Sequence, residues 1–290
     1  MEYLLHILIV VGVYQILSLS LDLVAGEAGI ISVAQAGFYG IGAYSFAVLA
    51  LRTGLPFTVN VILGMAIAVL VSLIVAVPAL RTYDDYLVMV TFGFQVVLSN
   101  VFNSWVSITN GAIGIVGVPR PVVFGWRIHT ELAFLCLTVI LVGCATLVKM
   151  LLSTSPFGRV LRAIREDELF ARSLGKNTHR FKITAFAVSA AVASTAGCLM
   201  ASYVGYVDPT SFTVLESVLI ISMVVVGGAG STWGPLVGAM TLVVLPELLR
   251  FLGLPNSVAA NLRQILYGSA LVIMMVIRPR GLVGRFGFGR

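Results

Sequence analysis

Apolar runs of about 20 residues, separated by short polar stretches, recur along the whole chain. A helix of about 20 apolar residues is long enough to cross the hydrocarbon core of a bilayer. The pattern predicts spans near 3–22, 29–51, 57–80, 86–104, 131–152, 183–206, 215–229, 234–250 and 261–277. We therefore predict an all-α polytopic membrane protein, a bundle of about 8–10 transmembrane helices, forming one domain over residues 1–290.

Glycine-rich stretches leave two of these boundaries open. GGAGSTWGP (227–235) interrupts the pair 215–250, which could be two full spans or a re-entrant pair that turns back within the membrane. DLVAGEAG (22–29) could be a tight turn outside the membrane or a break inside it. Small residues let helix backbones approach closely in lipid, so we expect close packing at Gly40, Gly197, Gly228, Gly230 and Gly234.

Composition supports the membrane assignment and indicates an orientation. The chain is 59% hydrophobic and 10% charged, whereas soluble domains are about 25% charged. The opening MEYLLHILIV lacks a basic region, so we interpret it as the first span and not as a signal peptide. Twelve of the 18 basic residues lie at Lys149, in 155–182 and in 278–290. The positive-inside rule places these segments in the cytoplasm and the loop 105–130 outside, and the net charge of +6 is no argument for nucleic acid.

One cytoplasmic stretch, SPFGRVLRAIREDELFARSLGKNTHRFK (155–182), carries ten charges. Ser155 can cap a helix that has Pro156 at its first position, and Gly175 suits the position after a second helix. We predict two short amphipathic helices within a loop over 153–182. Leu169, Phe170 and Leu174 form their apolar edge. The loop could be a solvated connector, or it could dock on lipid headgroups or another protein.

Polar residues inside the predicted spans are the candidates for a substrate pathway. They are Gln35, Tyr39, Tyr44, Thr91, Gln95 and Asn100, although each amide could instead bond a neighbouring helix. The spacing predicts that the polar residues of the fourth span share one face.

The acidic residues near span ends are expected to be solvated or interfacial, and Lys149 is expected to extend its amine to the surface. These acidic residues are Asp22, Glu27, Glu216 and Glu247. No carboxylate is then expected at the centre of a span, which argues against a proton- or sodium-driven carrier. A neutral pathway would leave specificity to a separate soluble binding protein.

Other chemistry finds little support in the sequence. The three cysteines and three histidines form no metal-binding pattern. No G-x-x-x-x-G-K-[ST] motif is present to bind ATP phosphates. A membrane transferase would need a polar catalytic cluster, and Asp84 with Asp85 is the only adjacent aspartate pair. An ATP-independent channel or secondary transporter stays an alternative.

Five stretches resemble the permeases of ATP-binding-cassette (ABC) importers for branched-chain amino acids, LivM type. They are GEAGIISVAQAGFYGIGAYS (26–45), YLVMVTFGFQVV with WVSITNGAIGI, the charged stretch with the span that follows it, VVVGGAGSTWGPLVGAM with LPELLR, and RPRGLVG (278–284). The likeness covers nearly the whole chain. It implies the ABC importer permease fold, a bacterial inner membrane location and transport of branched-chain amino acids. Related permeases carry urea, short amides or aromatic acids, which remain alternatives.

The resemblance also implies partners. These are a second homologous permease, in a heterodimer, two cytoplasmic ATPases that bind ATP and Mg, and an external binding protein that docks on 105–130. The charged stretch would be the helix that couples to an ATPase, with Arg159, Arg162, Arg165, Glu166, Asp167, Glu168, Phe170, Ala171 and Gly175 as coupling residues. Importers generally have Glu-Ala-Ala, three residues and Gly in this element. Here the pattern reads Leu169, Phe170, Ala171 and then Gly175, which leaves the docking contacts open.

Overall fold

The computed structural model describes residues 2–79, 84–123, 126–128, 130–250, 265, 267–269, 271–274, 276 and 281–283. The predicted span 261–277 and the motif 278–284 lie partly outside these residues.

The described part of the chain is a helical bundle with a few very short strands. Its helices are α1 Glu2–Ala28, α2 Gln35–Thr53, α3 Phe57–Ala79, α4 Asp84–Ser104, α5 Val106–Thr109, α6 Glu131–Thr154, α7 Pro156–Glu166, α8 Glu168–Ser173, α9 Thr178–Val204, α10 Val214–Gly227 and α11 Gly234–Arg250. The strands are β1 Ile115–Val116, β2 Val122–Val123, β3 Trp126–Arg127 and β4 Tyr206–Val207, and single 3₁₀ turns cover Gly111–Ile113 and Pro209–Ser211.

The described helices include six that are long and apolar enough to cross a membrane. They are α1, α3, α4, α6, α9 and the segment Pro209–Gly227, which contains α10. The predicted all-α membrane bundle is confirmed. We call the end that carries α7 and α8 the hairpin end, and the end that carries residues 105–130 the loop end.

The connection between α1 and α2 differs from both alternatives derived from the sequence. Residues 22–28 are not a turn or a break, because α1 continues to Ala28. The chain leaves the helix at Gly29, whose φ of 72° is easy only for glycine. The helix persists because both acidic side chains in this stretch find buried partners, which are described below.

Helix α9 lies at the centre of the bundle and packs against α1, α2 and α3. Small residues make this packing close. A Cβ added to Gly197 would collide with the backbone carbonyl of Tyr39, and one added to Gly42 would collide with the backbone of Ser194. Helix backbones that approach this closely gain van der Waals contact, which stabilises helix association in lipid, where the hydrophobic effect does not drive helices together.

The pair 215–250 crosses the bundle twice, and its first crossing is partly irregular. Strand β4 pairs with β1 at the loop end, and residues 208–213 then carry the chain inward to α10. The carbonyl of Phe212 accepts a hydrogen bond from Gln95, near the middle of α4, at 2.8 Å. Helix α11 returns to the loop end, where Glu247 bonds Tyr3.

Candidate functional site

The charged stretch at the hairpin end folds into the two short helices that the sequence predicts. The Ser155 hydroxyl accepts from the backbone N–H of Gly158 at 3.3 Å and caps α7. The Asp167 carboxylate accepts from the N–H of Phe170 at 2.9 Å and caps α8. Gly175 follows α8 with a φ of 76°. We call α7, α8 and the residues to 177 the charged hairpin.

Glu168 ties α8 to the start of α9. Its carboxylate accepts hydrogen bonds from Lys182 at 2.7 Å, Thr178 at 2.8 Å and Arg172 at 2.7 Å. Partial burial raises the pKa of Glu168, but these hydrogen bonds outweigh it and lower the pKa to about 2. Glu168 is therefore ionised at every physiological pH and holds α8 in place.

Helix α7 is fastened to the end of α1 by two arginines. Arg162 donates to Glu27 at 2.8 Å and to the carbonyl of Ser153 at 3.0 Å, and the Ser153 hydroxyl donates to Glu27. Arg165 donates to the carbonyl of Gly26. The prediction that Glu27 is solvated is wrong, because the charged hairpin folds back over it and leaves it 3% exposed.

A buried ion pair lies deeper along α1. Lys149 donates to Asp22 and, at 2.5 Å, to the carbonyl of Ser231. The other Asp22 oxygen accepts from the N–H of Gly230 at 2.8 Å. Side-chain exposure is 2% for Lys149 and 0% for Asp22, so the predictions of a surface-reaching lysine and a solvated aspartate are both wrong. We call Asp22, Lys149, Gly230 and Ser231 the buried polar cluster; it joins α1, α6 and the glycine-rich turn.

The charged hairpin leaves an apolar patch exposed, formed by Leu169, Phe170 and Leu174. These side chains are 76%, 60% and 63% exposed. The opposite side of the hairpin is buried through Leu161 and Ile164.

The predicted coupling residues divide between these two sides. Arg159, Glu166, Asp167, Phe170 and Gly175 are exposed, Arg162, Arg165 and Glu168 are half-buried in internal bonds, and Ala171 is buried.

The polar residues of α4 do not share one face. Thr91 and Gln95 are buried; the Thr91 hydroxyl accepts from the N–H of Val33 at 3.2 Å. Asn100 is exposed and donates to the carbonyl of Val96, one turn back. The prediction of one face is wrong because the five-residue step from Gln95 to Asn100 turns the helix about 140° beyond a full revolution.

The side chain of Gln35 makes hydrogen bonds to neighbouring helices, which is one of the two roles that the sequence allowed for this amide. It lies at the start of α2, is 1% exposed, and donates to Ser20 and, at 3.2 Å, to Ser189.

The two predicted pathway tyrosines surround Phe212. The ring centroid of Phe212 is 5.1 Å from that of Tyr39 and 5.8 Å from that of Tyr44, which also stacks on Phe102 at 4.8 Å. The buried Tyr44 hydroxyl has no hydrogen-bond partner among the described residues.

A cavity of about 270 Å³ opens beside these rings. Tyr14 and Glu216 lie in its wall, and the Tyr14 hydroxyl donates to Glu216 at 2.5 Å. Tyr14 is at the middle of α1, so the prediction that Glu216 is interfacial is wrong, and a carboxyl group lies at the depth of a span centre, where none was expected. No local sequence pattern pairs Tyr14 with Glu216, because the two residues are 202 positions apart. The hydroxyl of Tyr14 in an apolar span was the one available indication.

A family model described as the permease component of the branched-chain amino acid transport system matches residues 3–275. The chain belongs to this permease family. It is 35% identical to the high-affinity branched-chain amino acid transport system permease protein LivM of Escherichia coli K12, over 93% of this chain and 68% of LivM.

Two further members of the permease family have lower identity. A probable LivM of Methanocaldococcus jannaschii is 26% identical over 96% of this chain and 92% of its own length. LivH of E. coli K12 is 24% identical over 94% of this chain and 91% of LivH. No solved structure matches the chain. The chain is thus a multi-pass membrane permease, and the resemblance derived from the sequence is confirmed.

Proposed function

We propose that this permease is the transmembrane subunit of an ABC importer that moves branched-chain amino acids across the bacterial inner membrane. The LivM and LivH relatives are named as permeases of branched-chain amino acid transport systems, which supports the substrate class. The observation that carries the proposal is the exposed apolar patch on a capped, internally braced hairpin. An apolar surface of this kind at the aqueous end of a membrane bundle is typical of a docking site for another protein.

The partner that fits the apolar patch is a cytoplasmic ATPase, and in this proposal ATP and Mg bind to that partner while this chain serves as the transport subunit. Leu169, Phe170 and Leu174 would fill a groove on the ATPase. Movement of the ATPase would then reach α1 through Arg162 and Arg165. Charge-assisted hydrogen bonds suit this role because they are short and directional, and they would transmit displacement that a flexible connector would absorb.

Further partners complete the importer. Relatives of two kinds, LivM and LivH, occur in one E. coli strain and both match this chain, which supports pairing with a second, homologous permease in a heterodimer. An external binding protein would dock at the loop end, where Trp105, Ile113 and Val116 are 50%, 72% and 69% exposed. Aromatic and aliphatic side chains of this kind form the centres of protein interfaces.

The proposal is tested with the double variant Phe170→Asp and Leu174→Asp, co-expressed with the candidate ATPase. Two carboxylates in the apolar patch should remove ATPase co-purification and abolish ATP-driven leucine uptake in proteoliposomes, because a buried, unpaired charge is strongly unfavourable at an interface. Ile113→Asp, an equally exposed apolar site at the loop end, is the matched control for ATPase binding.

The expected result is loss of the ATPase from the double variant and its retention by the Ile113 control. If the double variant keeps both the ATPase and uptake, the coupling role of the charged hairpin is wrong. Leucine uptake that continues without ATP would instead favour a secondary transporter.

A further inference from the structure

The cavity between α1, α2, α9 and α10 extends from the loop end to the middle of the bundle. At the loop end, Val204 in its wall is the last residue of α9 and is 50% exposed. At the inner end, Glu216 meets Tyr14, halfway along α1. Its volume of about 270 Å³ lies just below the range of about 300–1,000 Å³ that drug-sized ligands occupy. It therefore suits a molecule the size of one amino acid.

One wall of the cavity is non-helical backbone that runs from the loop end inward to the middle of the bundle. Residues 206–208, 211 and 212 line it, between the end of α9 and the start of α10. Non-helical backbone is tolerated at this depth only where protein covers it or where it borders a water-filled space. The non-helical part of this crossing thus borders the cavity.

The polar part of the lining contains two carboxyl groups. Glu216 and Asp208 contribute carboxyl groups, and no lysine or arginine is among the described residues that line the cavity. Asp208 is engaged by Thr210 of its own turn. Glu216 accepts from Tyr14 through one oxygen, and the described residues give its second oxygen no hydrogen bond.

The remaining lining is aromatic and aliphatic. The rings of Tyr14, Tyr39 and Phe212 lie near Glu216, and Met200 and Val207 add apolar surface. A carboxylate next to aromatic faces is a favourable site for an ammonium group, through the ion pair and through cation–π attraction. The apolar wall would take an aliphatic side chain.

We propose that this cavity is a substrate subsite in which Glu216 binds the ammonium group of the transported amino acid and Tyr14 holds the Glu216 carboxylate in position. The inference deepens the proposed function and rests on it. It gives this chain a contact that distinguishes amino acids from uncharged amides and from acids that lack an amino group.

The experiment measures ATP-driven leucine uptake by the complete importer in proteoliposomes. Glu216→Gln keeps the shape and removes the negative charge. Uptake should fall by about tenfold or more, the effect of losing one charge-assisted hydrogen bond. Glu216→Asp should restore part of it. Glu247→Gln is the matched control, because Glu247 also bonds a tyrosine of α1 but lies outside the cavity lining.

A second variant guards against misfolding of Glu216→Gln. Val204→Trp places a large ring at the cavity mouth, where half of the valine side chain is already exposed, and should also block uptake. If Glu216→Gln does not fold, the uptake measured for Val204→Trp decides whether the cavity is a substrate subsite. Normal uptake by either folded variant overturns the subsite while leaving the importer function standing. Absence of ATP-driven uptake by the wild type contradicts the proposed function itself.

Discussion

The buried ion pair between Lys149 and Asp22 should be a large, measurable part of the stability of this bundle. The perturbation is Lys149→Met, which keeps an unbranched side chain of nearly the same length and removes the amine. Asp22 is 0% exposed, and among the described residues it then keeps only the hydrogen bond from the N–H of Gly230. Removing one partner of a buried pair in this way costs about 3–5 kcal/mol.

The double variant Asp22→Asn with Lys149→Met tests whether the loss of stability comes from leaving the buried Asp22 carboxylate without its partner. It leaves no uncompensated charge, and replacing both members of a buried pair is often nearly neutral. We therefore expect the double variant to be more stable than Lys149→Met by about 2 kcal/mol or more. Lys176→Met, which removes an exposed amine from the charged hairpin, should stay within about 0.5 kcal/mol of the wild type.

The assay is thermal unfolding of the purified permease in detergent, followed by tryptophan fluorescence. At about 2–4 °C per kcal/mol for domains somewhat smaller than this one, Lys149→Met should lower Tm by about 6–20 °C. A decrease below about 2 °C would refute the reasoning. The reasoning would also be refuted if the stability lost by the double variant equals the sum of the stabilities lost by Asp22→Asn and by Lys149→Met alone, because the pair would then have no coupling energy.

Two further predictions concern the charged hairpin and the helix packing. Glu168 has a pKa of about 2 against an ordinary 4.5, so the stabilisation that its ionised carboxylate provides is complete above about pH 4.5 and declines as the pH falls towards 2. Glu168→Gln should remove that part of the pH dependence of Tm. If the slope of Tm against pH below about pH 5 is the same in the variant and the wild type, the prediction is wrong. Gly197→Ala should destabilise by about 1–3 kcal/mol because its Cβ meets the carbonyl of Tyr39, whereas Gly143→Ala, with open space around it, should stabilise by up to about 1 kcal/mol. Equal Tm changes in the two glycine variants would show that the α2–α9 contact is not close-packed.

Much of the fold could be predicted because its determinants are local. The lengths of the apolar runs gave the long helices, and Ser155 and Asp167 accept from N–H groups three residues ahead. The start and end of each hairpin helix depend on side chains within the same turn, so the sequence pattern contains them. The apolar edge at Leu169, Phe170 and Leu174 follows from the same helical spacing and is exposed in the structure.

The candidate site was harder to predict because its contacts join distant segments. Asp22 looked solvated since it stands in a glycine-rich stretch, yet its partner Lys149 is 127 positions away. Glu27 meets Arg162 at a separation of 135. A charged residue near a span end is consistent with exposure or with pairing. Only the position of the second charge decides between them.

The sequence by itself determined that this chain is a membrane bundle with a folded, charged hairpin, because hydrophobic length and helix capping act within a few residues. Only the tertiary structure decided which charges are buried, how the charged hairpin is fastened to α1, and where a cavity with a carboxylate opens. Those features depend on which helices lie side by side. In lipid, that arrangement is set by close packing and by pairing of buried polar groups, which act between residues far apart in the chain.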